Sequence, residues 1–150
     1  AKKYKNVDPE RALLAGLMQN VGALPVLMKL DETMLDSPSE QEVEIALEEY
    51  TGKVGNLLAK KWGLDEELQS VIKNCGNLAY DCGEDIDLVD VVNIARLLSQ
   101  IGSRKIKWPK IEDAPCLEKF SDEGLTLNDS LLLLKEAQED INKVKKFLAG

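Results

Sequence analysis

Histidine is absent from the sequence, and this absence excludes more chemistry than any motif in the chain suggests. Histidine is the commonest metal ligand and the usual general base near neutral pH. Glycine-rich phosphate-binding loops are also missing, since neither G-x-G-x-x-G nor G-x-x-x-x-G-K-[ST] occurs. The sequence therefore argues against a histidine-based metalloenzyme and against the common nucleotide-binding loops.

Cysteine pairs with metal-binding or redox spacing are missing as well. Cys75, Cys82 and Cys116 are odd in number and form no C-x-x-C pair, so we expect free thiols in a reducing cytoplasm. A nucleophilic role for Cys75 or Cys82 needs a neighbouring base, which histidine cannot supply here. We therefore interpret these cysteines as buried structural thiols.

Long apolar runs and an excess of basic residues are missing too. Unbroken apolar runs, such as residues 131–134, are much shorter than the roughly 20 residues that cross a bilayer. No charged and then apolar leader precedes the first helix, so we expect a cytoplasmic protein without a membrane partner. The 27 acidic residues outnumber the 19 basic ones, which makes nucleic acid an improbable partner because phosphate binding uses clustered Lys and Arg.

What the sequence does contain is helical periodicity from end to end, which predicts one all-α domain over residues 1–150. Asp8-Pro9 predicts the first helix start, and a second short helix follows over residues 23–30. Ser37 and Glu40 fit a capping box for the third helix, whose pattern Thr51-Gly52 interrupts. Asp65 caps the next helix and Gly76 ends it. Asp85 or Asp87 caps the strongly apolar helix that follows.

The C-terminal third predicts an irregular connection over residues 103–116 and a final helix over residues 126–148. Apolar residues in that helix recur at steps of three and four, which is typical of a buried seam. The seam consists of Leu134, Ala137, Ile141, Val144 and Leu148.

An acidic cluster before the apolar helix raises the question of a calcium site. The glycine and the final glutamate of an EF-hand loop are not at the required positions. Helix capping and a solvated loop explain the cluster better. Its members are Asp81, Glu84, Asp85, Asp87 and Asp90.

Four segments, taken in order, resemble HDOD domains, which are relatives of the HD-type phosphohydrolases. Residues 12–22 read ALLAGLMQNVG and are similar to A-x-L-A-G-L-L-H-D-I-G. Residues 51–64 read TGKVGNLLAKKWGL and are similar to H-x-x-V-G-x-x-L-x-x-x-W-G-L. Residues 71–76 (VIKNCG) stand where the family carries I-x-x-H-H, and residues 91–102 (VVNIARLLSQIG) resemble I-V-x-x-A-D-x-L-x-x-x-G. The resemblance implies a multi-helix HD/HDOD-like bundle and covers residues 11 to about 102.

The departures from this pattern fall on the positions where HD enzymes hold a divalent metal. The His-Asp doublet is replaced by Gln19 and Asn20, and the helix-start histidine by Thr51. Cys75 stands in the His-His position, and Arg96 replaces an aspartate. Neutral amide oxygens bind divalent ions weakly, and a guanidinium repels them. The resemblance therefore implies a degenerate pocket with no catalytic residue, no metal and no cofactor.

We accordingly predict a non-catalytic HDOD-like module for signal transduction or regulation in a bacterial cytoplasmic protein, acting by binding a protein partner, fused domains or a ligand. Within the degenerate pocket Arg96 would anchor an anionic, nucleotide-like ligand, although a salt bridge or a surface position is the favoured explanation of this arginine. Two alternatives stay open: a phosphohydrolase with a rebuilt metal site, and an unrelated helical interaction module.

The resemblance also predicts that this chain is the C-terminal part of an HDOD-like domain. The family carries a leading helical half before the doublet segment, whereas this chain begins just ahead of that segment with Ala1. We therefore expect apolar surface on the first two helices, and self-association or marginal stability of the isolated chain.

Overall fold

The computed structural model describes residues 7–33, 38–99, 114–122 and 124, together with seven single positions between 129 and 146. The described residues form six helices and no strand, which confirms the all-α prediction. The helices are α1 (Pro9–Met18), α2 (Ala23–Thr33), α3 (Glu40–Lys61), α4 (Glu66–Asn74), α5 (Leu88–Ser99) and α6 (Pro115–Asp122).

Most helix starts lie where the capping residues predict them. The Asp8 carboxylate accepts the N–H of Glu10, Asp65 accepts that of Leu68, and helix α5 begins directly after Asp87. The predicted Ser37 capping box is wrong, because the box is formed by Ser39 and Glu42. The same S-x-x-E spacing occurs two residues later, and there Pro38 precedes the cap instead of entering the first turn.

Helix α3 is continuous through Thr51-Gly52, so the predicted interruption is also wrong. Gly52 allows close packing, because a side chain at this position would clash with the carbonyl oxygen of Lys73 on α4. Gly22, directly before α2, has the same role, because a side chain there would overlap the backbone of Thr51 and Gly55 on α3. The glycines thus let α3 lie close to both α2 and α4.

Helix α5 is the centre of the hydrophobic core and packs against α1, α4 and α6. Its buried apolar residues include Leu88, Val89, Val92 and Ile94. Helix α6 was not predicted, and residues 115 and 116 belong to it instead of to the irregular connection. Its eight residues are too few for a repeating pattern to stand out in the sequence, yet Cys116 and Phe120 are buried against the core.

The rest of the predicted C-terminal region lies mostly outside the described residues. This holds for residues 103–113 and for all five residues of the predicted seam. The described positions of the final helix are helical, namely Asp129, Leu132, Lys135, Glu139, Asn142, Lys143 and Lys146.

Large apolar side chains remain exposed on α1 and α2. Leu13, Leu17 and Leu24 are 67%, 75% and 66% exposed, and Met28 is also more than half exposed. By length and composition alone the stretch Pro9–Glu32 is long and apolar enough to cross a membrane, although a few polar residues interrupt its apolar run. In the structure this stretch turns between α1 and α2 at residues 19–22. Cytoplasmic localisation stays a prediction.

Candidate functional site

Four of the five predicted site residues lie together at one junction of helices. The Arg96 guanidinium donates hydrogen bonds to the Asn20 side-chain oxygen at 3.1 Å and to the Cys75 sulfur at 3.0 Å. The Cys75 thiol in turn faces the side-chain oxygens of Gln19 at 3.3 Å and Asn20 at 3.6 Å. Residues up to 77 positions apart in the sequence therefore share a single hydrogen-bonded cluster, which we call the four-residue site.

These four side chains come from three separate elements of the fold. Gln19 and Asn20 belong to the tight turn between α1 and α2, in which Val21 and Ala23 each donate to a carbonyl three residues earlier. Cys75 directly follows α4, and Arg96 lies on α5. The turn places Gln19 so that its amide nitrogen donates to the Gly16 carbonyl, which leaves its side-chain oxygen directed at Cys75.

Gly76 completes the approach of α4 to α5. Its φ of +76° lies in the left-handed region, which glycine adopts without the penalty of a Cβ atom. A Cβ here would also lie 3.5 Å from the Arg96 guanidinium carbon, so the guanidinium lies directly over this glycine. The predicted helix end at Gly76 is confirmed, and it brings Cys75 beside Arg96.

Asn93 holds this arrangement in place and was missed by the sequence analysis. It is buried on α5, accepts the Gly76 N–H at 3.0 Å and donates to the carbonyls of Asn74 and Asn77. A buried amide that satisfies backbone groups at a helix end fixes the local chain path. In the sequence this role is indicated only by the position of Asn93, a polar residue between the apolar Val92 and Ile94.

Thr51 stands apart from the other four residues. It is half-buried on α3, and its backbone carbonyl lies beside Gly22, two residues after Asn20. Within the described part of the chain its side chain makes no hydrogen bond to the four-residue site. The structure therefore places Thr51 next to the site through its backbone.

Burial and the nearby positive charge shift the pKa of the Cys75 thiol in opposite directions. Burial raises the pKa of the Cys75 thiol, while the positive charge and hydrogen bond of Arg96 lower it. The net direction is upward, so the thiol is protonated at neutral pH. Cys75 is half-buried and Cys116 is buried, but Cys82 is exposed, which corrects the expectation that it is a buried thiol.

These side chains do not fit a divalent metal. Gln19 and Asn20 offer neutral oxygens, the Cys75 thiol holds its proton, and the Arg96 guanidinium keeps its positive charge. Divalent ions in proteins prefer carboxylates, imidazoles and thiolates, and a guanidinium 3.0 Å from the only sulfur repels a cation. Arg96 already donates to the acceptors that a metal would need.

A comparison with protein families identifies the family. A model of the HDOD domain matches residues 1–78, just over half of the chain. The chain belongs to the HDOD family. A search of curated proteins and a search of solved structures each found no match.

The HDOD match covers α1 to α4 and ends before α5. Three of the four segments that resemble the family lie inside the match, and the segment over residues 91–102 lies beyond it. The structure nevertheless brings Arg96 from that fourth segment to Asn20 from the first. The HDOD part of the chain and α5 thus form the four-residue site together.

Proposed function

We propose that this HDOD chain is a non-catalytic module for regulation or signal transduction that works by binding a protein partner. One observation carries the proposal: the Arg96 guanidinium donates to Asn20 and Cys75 where the family resemblance implies metal ligands. Metal-dependent hydrolysis needs a bound cation that activates water. A fixed positive charge among neutral side chains opposes such a cation, which favours a binding function.

The apolar surface of α1 and α2 supports a protein as the binding partner. Helix α1 buries Ala15, while Leu13 and Leu17 face outward. Helix α2 buries Val26 against α3, while Leu24 and Met28 face outward. Large apolar side chains left exposed on neighbouring segments are a feature of protein interaction sites. We refer to these four outward-facing side chains as the apolar face.

A hydrolysis assay tests the absence of catalysis. The chain is incubated with a generic phosphodiester and Mn²⁺ or Mg²⁺, and we expect no turnover above the rate with metal alone. An Arg96→Asp variant serves as the matched comparison, because it returns a carboxylate to the position. Metal-dependent turnover by the wild-type chain would contradict the proposal.

Site-specific photo-crosslinking tests partner binding. A photoreactive amino acid replaces Leu17 or Leu24 on the apolar face, or Glu118 on the exposed side of α6 as a control, in the full-length protein in its native cell. We expect a discrete adduct from positions 17 and 24 and none from position 118. If neither apolar position forms an adduct, the apolar face does not bind a protein.

Arg96 also supports a second candidate, an anionic nucleotide-like ligand at the four-residue site. Its partners there are a neutral amide and a thiol, and within the described residues it forms no ion pair despite the acidic excess of the chain. An unpaired guanidinium is suited to bidentate binding of phosphate. Calorimetry with nucleotides and cyclic dinucleotides tests this role, and equal binding by wild type and Arg96→Ala would reject it.

A further inference from the structure

The outward side of α3 carries negative charge in its first half and positive charge in its second half. The four exposed side chains that form this pattern are Glu42, Glu49, Lys53 and Lys60. Because an α-helix turns by about 100° per residue, they point within about 40° of one another around the helix axis. The buried residues Gly55 and Ala59 lie on a different side of the helix. We call the four side chains the charged row.

The charged row has opposite signs at equal distances from one level in the middle of α3. Glu42 and Lys60 are each nine residues from Thr51. Glu49 and Lys53 are each two residues from it. In two antiparallel α3 helices that meet at this level, every glutamate of one copy therefore lies opposite a lysine of the other. A symmetric dimer requires a surface that complements itself after a twofold rotation, and the charged row meets this requirement.

Helix stability alone does not explain the charged row. Acidic residues at the start of a helix and basic residues at its end favour the helix dipole, but only in the first and last turns. That effect accounts for Glu42 and Lys60. Glu49 and Lys53 lie in the middle of α3, where they form an exposed ion pair at 3.4 Å, four residues apart. Neither effect requires both pairs to share one side of the helix and one midpoint.

Apolar side chains lie along both edges of the charged row. Ile45 is 55% exposed at one edge, and Tyr50 and Leu57 are 45% and 67% exposed at the other. The Lys53 ammonium lies 5.0 Å from the centre of the Tyr50 ring, which orders the middle of the row. A second surface that packs against this side of α3 would cover these apolar groups, and their burial favours association.

We propose that this chain forms a symmetric dimer through antiparallel α3 helices. In this dimer Glu42 of one copy lies opposite Lys60 of the other. Glu49 of each copy lies opposite Lys53, and the apolar edges cover each other. The formal net charge of −8 opposes association at long range, but at about 0.15 M salt charges farther apart than roughly 8 Å are largely screened. The proposal goes beyond the proposed function, since neither the apolar face nor Arg96 takes part.

Sedimentation equilibrium of the chain over a dilution series tests the dimer. We expect the apparent mass to approach twice that of one chain as the concentration rises. Because salt screens exposed ion pairs, the dimer should weaken several-fold between about 0.15 M and about 0.5 M salt. A mass of one chain at every concentration up to about 1 mM would overturn the proposal.

A pair of charge variants tests the arrangement of the charged row. Lys53→Glu/Lys60→Glu makes the row entirely negative and should weaken dimerisation by about tenfold or more. Glu42→Gln/Glu49→Lys removes both negative charges and should also weaken it, while glutamine at position 42 still fits the capping box. Mixed in equal amounts, the two variants should form a heterodimer, because three of the four charge pairs between the helices are attractive again. A mixture that stays monomeric would overturn the antiparallel arrangement.

Lys73→Glu/Lys135→Glu is the matched control, because it changes the net charge equally at exposed positions outside α3. It should leave dimerisation near the wild-type level, and a loss equal to that of the α3 variant would contradict the proposal. Leu17→Glu on the apolar face should also leave the dimer intact. If Leu17→Glu abolishes self-association and Lys53→Glu/Lys60→Glu does not, the apolar face forms the dimer and the proposal is wrong. Circular dichroism checks that every variant keeps the wild-type helix content.

Discussion

The two sides of this molecule bury their apolar residues to very different extents. Around α5 nearly every apolar side chain is covered, and α1, α4 and α6 supply the cover. On α1 and α2 the apolar face is open, with Leu17 75% exposed although Ala15 on the same helix is fully buried. The HDOD match includes all of the open side but stops before α5, the best-covered helix.

The difference separates residues that stabilise the chain from residues that are available for binding. Burying a large apolar side chain contributes about 1.5–3 kcal/mol to folding, and the covered side chains of α5 obtain this contribution. The exposed apolar side chains on α1 and α2 gain it only when another surface covers them. Substitutions on the two sides should therefore have opposite effects on stability and on binding.

The largest expected effect comes from a matched pair of leucine substitutions. Leu88→Ala should lower the free energy of unfolding by about 2–5 kcal/mol, because Leu88 is buried in the core. Leu17→Ala should change it by less than about 0.5 kcal/mol. Urea unfolding followed by circular dichroism measures both. Equal losses would show that the apolar face is covered in solution.

Lys119→Met should be nearly as severe, with a loss of about 3 kcal/mol at neutral pH, because it leaves buried Asp90 without its ammonium partner. Burial raises the pKa of the Asp90 carboxyl, and removing Lys119 raises it further. Protonated Asp90 needs no counter-charge, so the loss should shrink as the pH falls from 7 toward 4. Thermal unfolding across that range measures the difference, and a loss that is independent of pH would argue against this ion pair.

Gly22→Ala should have an intermediate effect and weaken the open side specifically. The added methyl group overlaps the backbone of α3, so we expect a loss of about 1–3 kcal/mol. Gly16→Ala is the control, since nothing lies within 4 Å of that position and alanine favours a helix by about 0.5–1 kcal/mol. Urea unfolding should show opposite signs for the two variants, and the same sign would show that α2 is not held closely against α3.

The smallest effect is expected at the link between α1 and α4. Asp65 caps α4 and forms an ion pair with Arg11 at 2.7 Å, and this hydrogen bond is the main reason that the pKa of Asp65 is lowered. Asp65→Ala should cost about 1 kcal/mol at neutral pH. Because the contribution requires the ionised carboxylate, it should disappear as the pH falls below about 4. Acid titration of both proteins by circular dichroism measures it, and a constant difference would contradict the assignment.

Local sequence signals predicted most of the helix starts, and the failures have local causes as well. Asp8 and Asp65 were identified because capping depends on residues only two or three positions apart. The Ser37 prediction failed because a second S-x-x-E pattern begins at Ser39, and the position of the cap depends on where Pro38 is accommodated. Helix α6 is too short for its periodicity to stand out, and packing against α5 stabilises it.

The candidate site was predictable only in part. The family resemblance named Gln19, Asn20, Cys75 and Arg96, but no local pattern states that they touch. Their contact depends on two local features, the turn after α1 and the left-handed Gly76, and on the buried Asn93, which links α5 to the end of α4 across the fold. Thr51 was named by the same resemblance, and within the described residues it approaches the site through its backbone carbonyl, which lies beside Gly22.

The sequence by itself determined that this chain is helical, because apolar periodicity and capping are properties of neighbouring residues. It also determined which functional groups are available, since a chain without histidine cannot supply an imidazole to any site. Only the tertiary structure decided which apolar residues are covered and which charges meet. Burial and the Lys119–Asp90 ion pair depend on distances across the fold, and these distances are set when helices far apart in the chain pack together.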